Sequence, residues 1–143
     1  MKINKSTIVA IIAYLFVLLF LYAATNKLLD FEKFKAQIGQ SSMLTAYAPV
    51  IAWAIPLLEI VISVFLMVPK TVTAGLYASF TLMVMFSAYI SIMLTLSEHV
   101  PCSCGGILQK MSWGSHLIFN IVFVILGLVG ILLKTKFTLK AKA

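Results

Sequence analysis

The chain has 143 residues, of which 62% are hydrophobic and 10% charged, and its net charge of +7 comes from lysines with no arginine. A soluble domain of this length could not hide so much apolar surface, whereas lipid acts as an apolar solvent for it. The lysines sit between and beside apolar runs rather than in a basic-aromatic patch, so they argue for headgroup contact and topology and against nucleic-acid binding.

Four runs are long enough to cross roughly 30 Å of hydrocarbon, which takes about 20 helical residues. The first, residues 7–24, carries no charge. It follows Lys2 and Lys5 like a signal peptide, but it exceeds the usual apolar core of about 7–15 residues and no A-x-A site follows, so a retained helix is expected. The connection from Thr25 to Pro49 interleaves Leu28, Leu29, Phe31, Phe34 and Ile38 with Asp30, Glu32, Lys33 and Lys35. That period predicts a short amphipathic interfacial helix stopped near Gly39.

The second span, residues 50–68, is broken only by Pro56 and Glu59. A carboxylate at that depth is costly, so Glu59 should face the bundle interior, pair with a partner or stay protonated. Both a proton or quinone site and a neutral hydrogen-bonding Glu fit it. The third span, residues 72–96, carries a stripe of Ser87, Ser91 and Thr95, and such stripes are mostly helix-packing surface. The fourth, residues 117–133, is expected to start helically near Ser112 to Ser115, with His116 and Asn120 four residues apart on one face. Trp53, Trp113, Tyr22 and Tyr47 fall near one interface as anchors.

The fold class expected is therefore all-α: one integral membrane four-helix bundle, a single domain over residues 1–143, with a short amphipathic helix in its first long loop. Both termini and the Pro69-Lys70-Thr71 turn share one side, which carries Lys2, Lys5, Lys70, Lys134, Lys136, Lys140 and Lys142 and no acid. The positive-inside rule places that side in the cytoplasm and both long loops outside, in a bacterial inner membrane.

The second long loop holds both cysteines of the chain, in His99-Val100-Pro101-Cys102-Ser103-Cys104-Gly105-Gly106. Outside the cytoplasm a dithiol can be oxidised and stay so. A bridge across so small a ring is strained and easily reduced, which suits exchange better than stabilisation. The nearby start of the fourth helix favours a reactive thiolate, and His116 on its first turn is placed to accept a proton. Two other readings stay open: a passive clip, and a zinc or copper(I) site drawing on His99, Cys102, Cys104 and His116, whose spacing matches no strong signature.

The order of motifs resembles the MauE branch of the DoxX-like membrane proteins over nearly the whole chain. It runs from Asn26-Lys27-Leu28-Leu29-Asp30 with Phe31 and Phe34, through Ile55-Pro56-Leu57-Leu58-Glu59 and Pro101-Cys102-Ser103-Cys104-Gly105-Gly106, to a last span with His116 and Asn120. The resemblance implies a four-helix membrane bundle tied to disulfide chemistry outside the cytoplasm. For MauE, the implied task is maturation of a disulfide-rich dehydrogenase subunit in methylamine utilisation; other DoxX-like members are tied to quinone-linked sulfur oxidation or terminal oxidases. The matching positions are Lys27, Glu59, Cys102 and Cys104. The chain departs from the pattern at Asn26, where a small residue is expected, and at Gly105-Gly106, where an aromatic often follows.

A single dithiol cannot relay electrons between two disulfide pairs, and no cysteine lies within a span to carry reducing power across. Electrons leaving Cys102 and Cys104 must pass to a non-thiol acceptor or to another protein. The resulting expectation is a thiol-disulfide redox protein with Cys102, Cys104 and His116 in the reaction, a quinone as the acceptor held near Glu59 and Asn120, and no assigned metal ligand. Its expected partners are membrane lipid and an extracytoplasmic thioredoxin-like or disulfide-containing protein. The alternatives are a non-catalytic assembly subunit of a membrane complex, or a Cys/His metal-handling protein.

Overall fold

A computed structural model of the chain describes residues 4–96 and 112–142. Among the described residues five α-helices follow one another: α1 (Lys5–Leu29), α2 (Phe31–Gln40), α3 (Ala48–Met67), α4 (Val72–Leu96) and α5 (Trp113–Lys142), with one 3-10 turn at Thr45–Tyr47 before α3. Four of them, all but α2, are long and apolar enough to span a membrane. The fold is the expected all-α membrane bundle, and among the described residues there is no strand.

The helices form a ring. α1 packs most extensively on α3 and α4 on α5, while α3 with α4 and α1 with α5 close the circle. Phe16 and Phe20 are fully buried on α1; Phe16 meets Phe123 of α5 edge-on at 5.3 Å, and Leu76, Met83 and Ile62 belong to the same buried core. The outward faces carry exposed Leu18, Val64, Met85 and Ile125, as a lipid-facing surface requires.

Helix boundaries depart from the apolar runs in instructive ways. α1 continues through Thr25 to Leu29, so Leu28 and Leu29, expected in the amphipathic segment, form its last turn instead. Asp30 breaks the helix with φ −108° and ψ 42°, and α2 starts one residue later. α2 is the amphipathic helix itself: Phe34 and Ile38 are buried against Ala48 and Ala52 of α3, while Glu32 and Lys33 are exposed. It ends at Gln40, just past Gly39, where the Thr45 hydroxyl is within bonding distance of the Gly39 and Ser41 carbonyls.

At the opposite end, Thr71 donates its hydroxyl to the Phe65 carbonyl and so caps α3 as α4 begins. The first turn of α4 approaches α3 so closely that a Cβ on Gly75 would sit 3.0 Å from the Leu66 backbone nitrogen, which is why glycine stands there. α5 outruns its apolar core at both ends. Ser112 caps it by accepting the Ser115 N–H at 3.3 Å, and its last turns carry Lys140 and Lys142, which suit a helix C-terminus.

Candidate functional site

At the α2 end of the bundle the helices spread around a pocket of about 520 Å³. Phe20, Met83 and Phe119 belong to its apolar lining, and Phe34 and Ile38 of α2 border it as well. Its polar lining includes Asn26 and Lys27 from α1, Lys33 and Gln37 from α2, Glu59 from α3, Tyr89 from α4, and His116 and Asn120 from α5.

The centre of the site is an ion pair. Lys27 Nζ donates to Glu59 Oε1 at 2.8 Å, with the Glu59 side chain fully buried and that of Lys27 19% exposed. Lys27 stands on the last turns of α1, where a lysine would ordinarily extend its ammonium toward water. Here the head turns inward. The rings of Phe34 on α2 and Phe86 on α4 flank it at 5.7 and 5.8 Å, within cation–π range. Glu59 lies about three turns into α3, one turn after Pro56, whose missing N–H leaves the Ala52 carbonyl without its usual helical donor. The Glu59 backbone carbonyl accepts the Ser63 hydroxyl at 2.8 Å.

Two buried polar atoms of the site have no hydrogen-bond partner among the described residues: Glu59 Oε2 and Asn26 Nδ2. A buried polar group without a partner typically costs about 1–3 kcal/mol, more when charged. Pairing with Lys27 thus satisfies one carboxylate oxygen and leaves the other buried without a partner among the described residues.

Of the residues singled out by sequence, the fold brings Glu59, His116 and Asn120 around this one pocket. Asn120 is buried, and His116, one turn above it on α5, is half-buried with Trp113 6.4 Å away between ring centres. His99, Cys102 and Cys104 lie outside the described residues. The segment holding them joins Leu96 of α4 to Ser112 of α5, and both of those ends belong to the pocket's end of the bundle. Among the described residues no cluster of three or more His, Cys, Asp or Glu gathers.

Among the described residues, Ser87, Ser91 and Thr95 do not hydrogen-bond across to a neighbouring helix. Each donates to the carbonyl four residues back on α4, at 2.8, 2.8 and 2.9 Å. Trp113, expected as an interface anchor, also lines the pocket. Lys27 was legible only as a loop cation and as a matching position; its role as the partner of Glu59 was missed. The available signal was that Glu59 is the only acid within the four spans, and Lys27 the first cation after the first of them.

The fold and this site define a small four-helix membrane protein with a buried Lys–Glu pair beside a pocket at one end of the bundle. The chain belongs to the MauE family: the family model described as methylamine utilisation protein MauE matches residues 5–133. No curated protein and no solved structure matches it.

Proposed function

We propose that the protein is a membrane-embedded thiol-disulfide redox protein, in which Cys102 and Cys104 exchange with a disulfide-containing or thioredoxin-like partner and pass electrons to an acceptor in the pocket. The observation that carries this reading is the pocket beside the Lys27–Glu59 pair, at the end of the bundle where the cysteine segment joins α4 and α5.

The chemistry balances with one dithiol. A thiolate of the partner attacks the Cys102–Cys104 disulfide, a mixed disulfide forms, and the second partner thiol resolves it. The partner leaves oxidised by two electrons, and Cys102 and Cys104 leave as thiols. Reoxidation then sends two electrons and two protons to a quinone, the acceptor class that fits an apolar pocket with a few convergent polar groups. Within that pocket His116 is the titratable side chain nearest the cysteine segment along the chain and serves as proton carrier, with Glu59 deeper in the bundle.

The lysine bias supports an orientation with Lys5, Lys70 and Lys134 on the cytoplasmic side of a bacterial inner membrane, and the cysteines outside. The family description names methylamine utilisation, which supports that setting; the client in this reading is a disulfide-containing protein outside the cytoplasm.

The test is mass spectrometry of differentially alkylated Cys102 and Cys104 in purified protein, with and without added quinone. Loss of the reduced pair on addition of quinone is the expected result. A thiol state indifferent to quinone would remove the acceptor from the scheme. If the C102S/C104S variant kept full function in cells, the protein would be an assembly subunit instead.

A further inference from the structure

The two unpartnered atoms of the pocket ask for different things. Asn26 Nδ2 offers a hydrogen, and Glu59 Oε2 accepts one. Both belong to side chains lining a mostly apolar pocket, whose other polar members include Lys27, Gln37, Tyr89, His116 and Asn120. A carbonyl oxygen can satisfy the amide but has nothing to give the carboxylate. An ether oxygen has the same defect. A hydroxyl meets both needs at once: its oxygen accepts from Asn26, and its hydrogen goes to Glu59 Oε2. Lys27 holds the other carboxylate oxygen at 2.8 Å and so fixes the direction in which Oε2 is presented.

We propose that the pocket binds an apolar ring compound through a ring hydroxyl held by Glu59 Oε2 and Asn26, and so prefers a quinol to the corresponding quinone. The ligand class rests on the redox reading above; the preference for the hydroxyl rests on the pocket alone. One consequence bears on that reaction. A site that holds the reduced carrier tenfold more tightly raises its potential there by about 30 mV, which draws electrons from the thiols.

The test is calorimetric binding of three probes to the full chain in nanodiscs: a short-chain benzoquinol, its quinone, and its dimethyl ether. The quinol should bind at least about tenfold more tightly than either of the others, the worth of one hydrogen bond to a charged group. The E59Q variant, which adds a donor at this position, should erase the preference. N26A, which leaves the ion pair intact, should weaken quinol and quinone alike. Affinities within about twofold for all three probes, or no binding of any, would overturn the proposal.

The same titrations on C102S/C104S protein separate this inference from the redox reading. A quinol preference retained there, with wild-type thiols indifferent to quinone, supports the binding inference and removes the redox scheme. Equal affinities together with quinone-dependent thiol oxidation remove the hydroxyl preference and leave the redox scheme standing.

Discussion

At the scale of single residues, the Lys27–Glu59 pair sets the largest local stakes. Both charges have been drawn largely out of solvent, so removing one leaves the other stranded, at a cost of roughly 3–5 kcal/mol. K27M and E59L should each lower the thermal midpoint of the detergent-solubilised protein substantially. The K27M/E59L double variant should recover most of that loss, because a well-packed apolar pair is often as stable as the ion pair it replaces. Thermal melts of the four proteins, read as a double-mutant cycle, check this; a double variant as unstable as the sum of the singles would refute it. The pair Glu32–Lys35, 3.8 Å apart on the exposed side of α2, makes the contrast. Its loss in K35A should leave the midpoint unmoved, since solvated pairs contribute little. Glu59 was legible in the sequence because a lone acid in an apolar run has to be explained by something. Its partner was not, since the two stand 32 positions apart and only helix packing brings them together. A lysine just past a hydrophobic run reads as the place where the membrane ends, and here it reaches back in.

At the scale of elements, close approach of backbones governs what the bundle tolerates. Without a hydrophobic force between helices in lipid, association depends on packing, and glycine lets two helices come near. Gly75→Leu should force α4 away from Leu66 and lower the thermal midpoint, because the contact at 3.0 Å is partly with backbone and cannot rotate aside. Gly39→Ala is the matched control. A Cβ there meets nothing within 4 Å, and alanine is the better helix former by about 1 kcal/mol, so stability should hold or rise. Midpoints falling equally for both variants would show that helix propensity, not approach, was decisive. The spans themselves were readable because lipid requires long uninterrupted apolar helices. Their ends were less so. Thr25 to Leu29 is polar enough to look like a loop, yet it forms the last turn of α1, with Lys27 paired to buried Glu59. The start of α5 was readable at Ser112, where cap chemistry is local and needs no partner from elsewhere in the chain.

At the scale of the whole molecule, the bundle has two unlike ends. One gathers Lys5, Lys70, Lys134 and Lys136 with no acid, and the other gathers α2, the pocket and the helix ends that flank the cysteine segment. Such a difference orients a chain during insertion, since basic loops are retained on the cytoplasmic side. The prediction is that a membrane-impermeant maleimide applied to intact cells labels Cys102 and Cys104 only after mild reduction. In a C102S/C104S background, a cysteine placed by Lys70→Cys should resist the reagent until the membrane is permeabilised. The two measurements have to be made together. Shielding of the cysteine segment by a partner would silence the first signal and leave the second as expected. An inverted chain would exchange the two, with Lys70→Cys labelled from outside and the native pair protected. Labelling of the native pair without reduction would mean thiols at rest, and electron flow would then run from the protein to its partner. The pocket would keep its place in that case, since an apolar carrier bound beside Glu59 can deliver electrons to a disulfide as well as withdraw them from a dithiol.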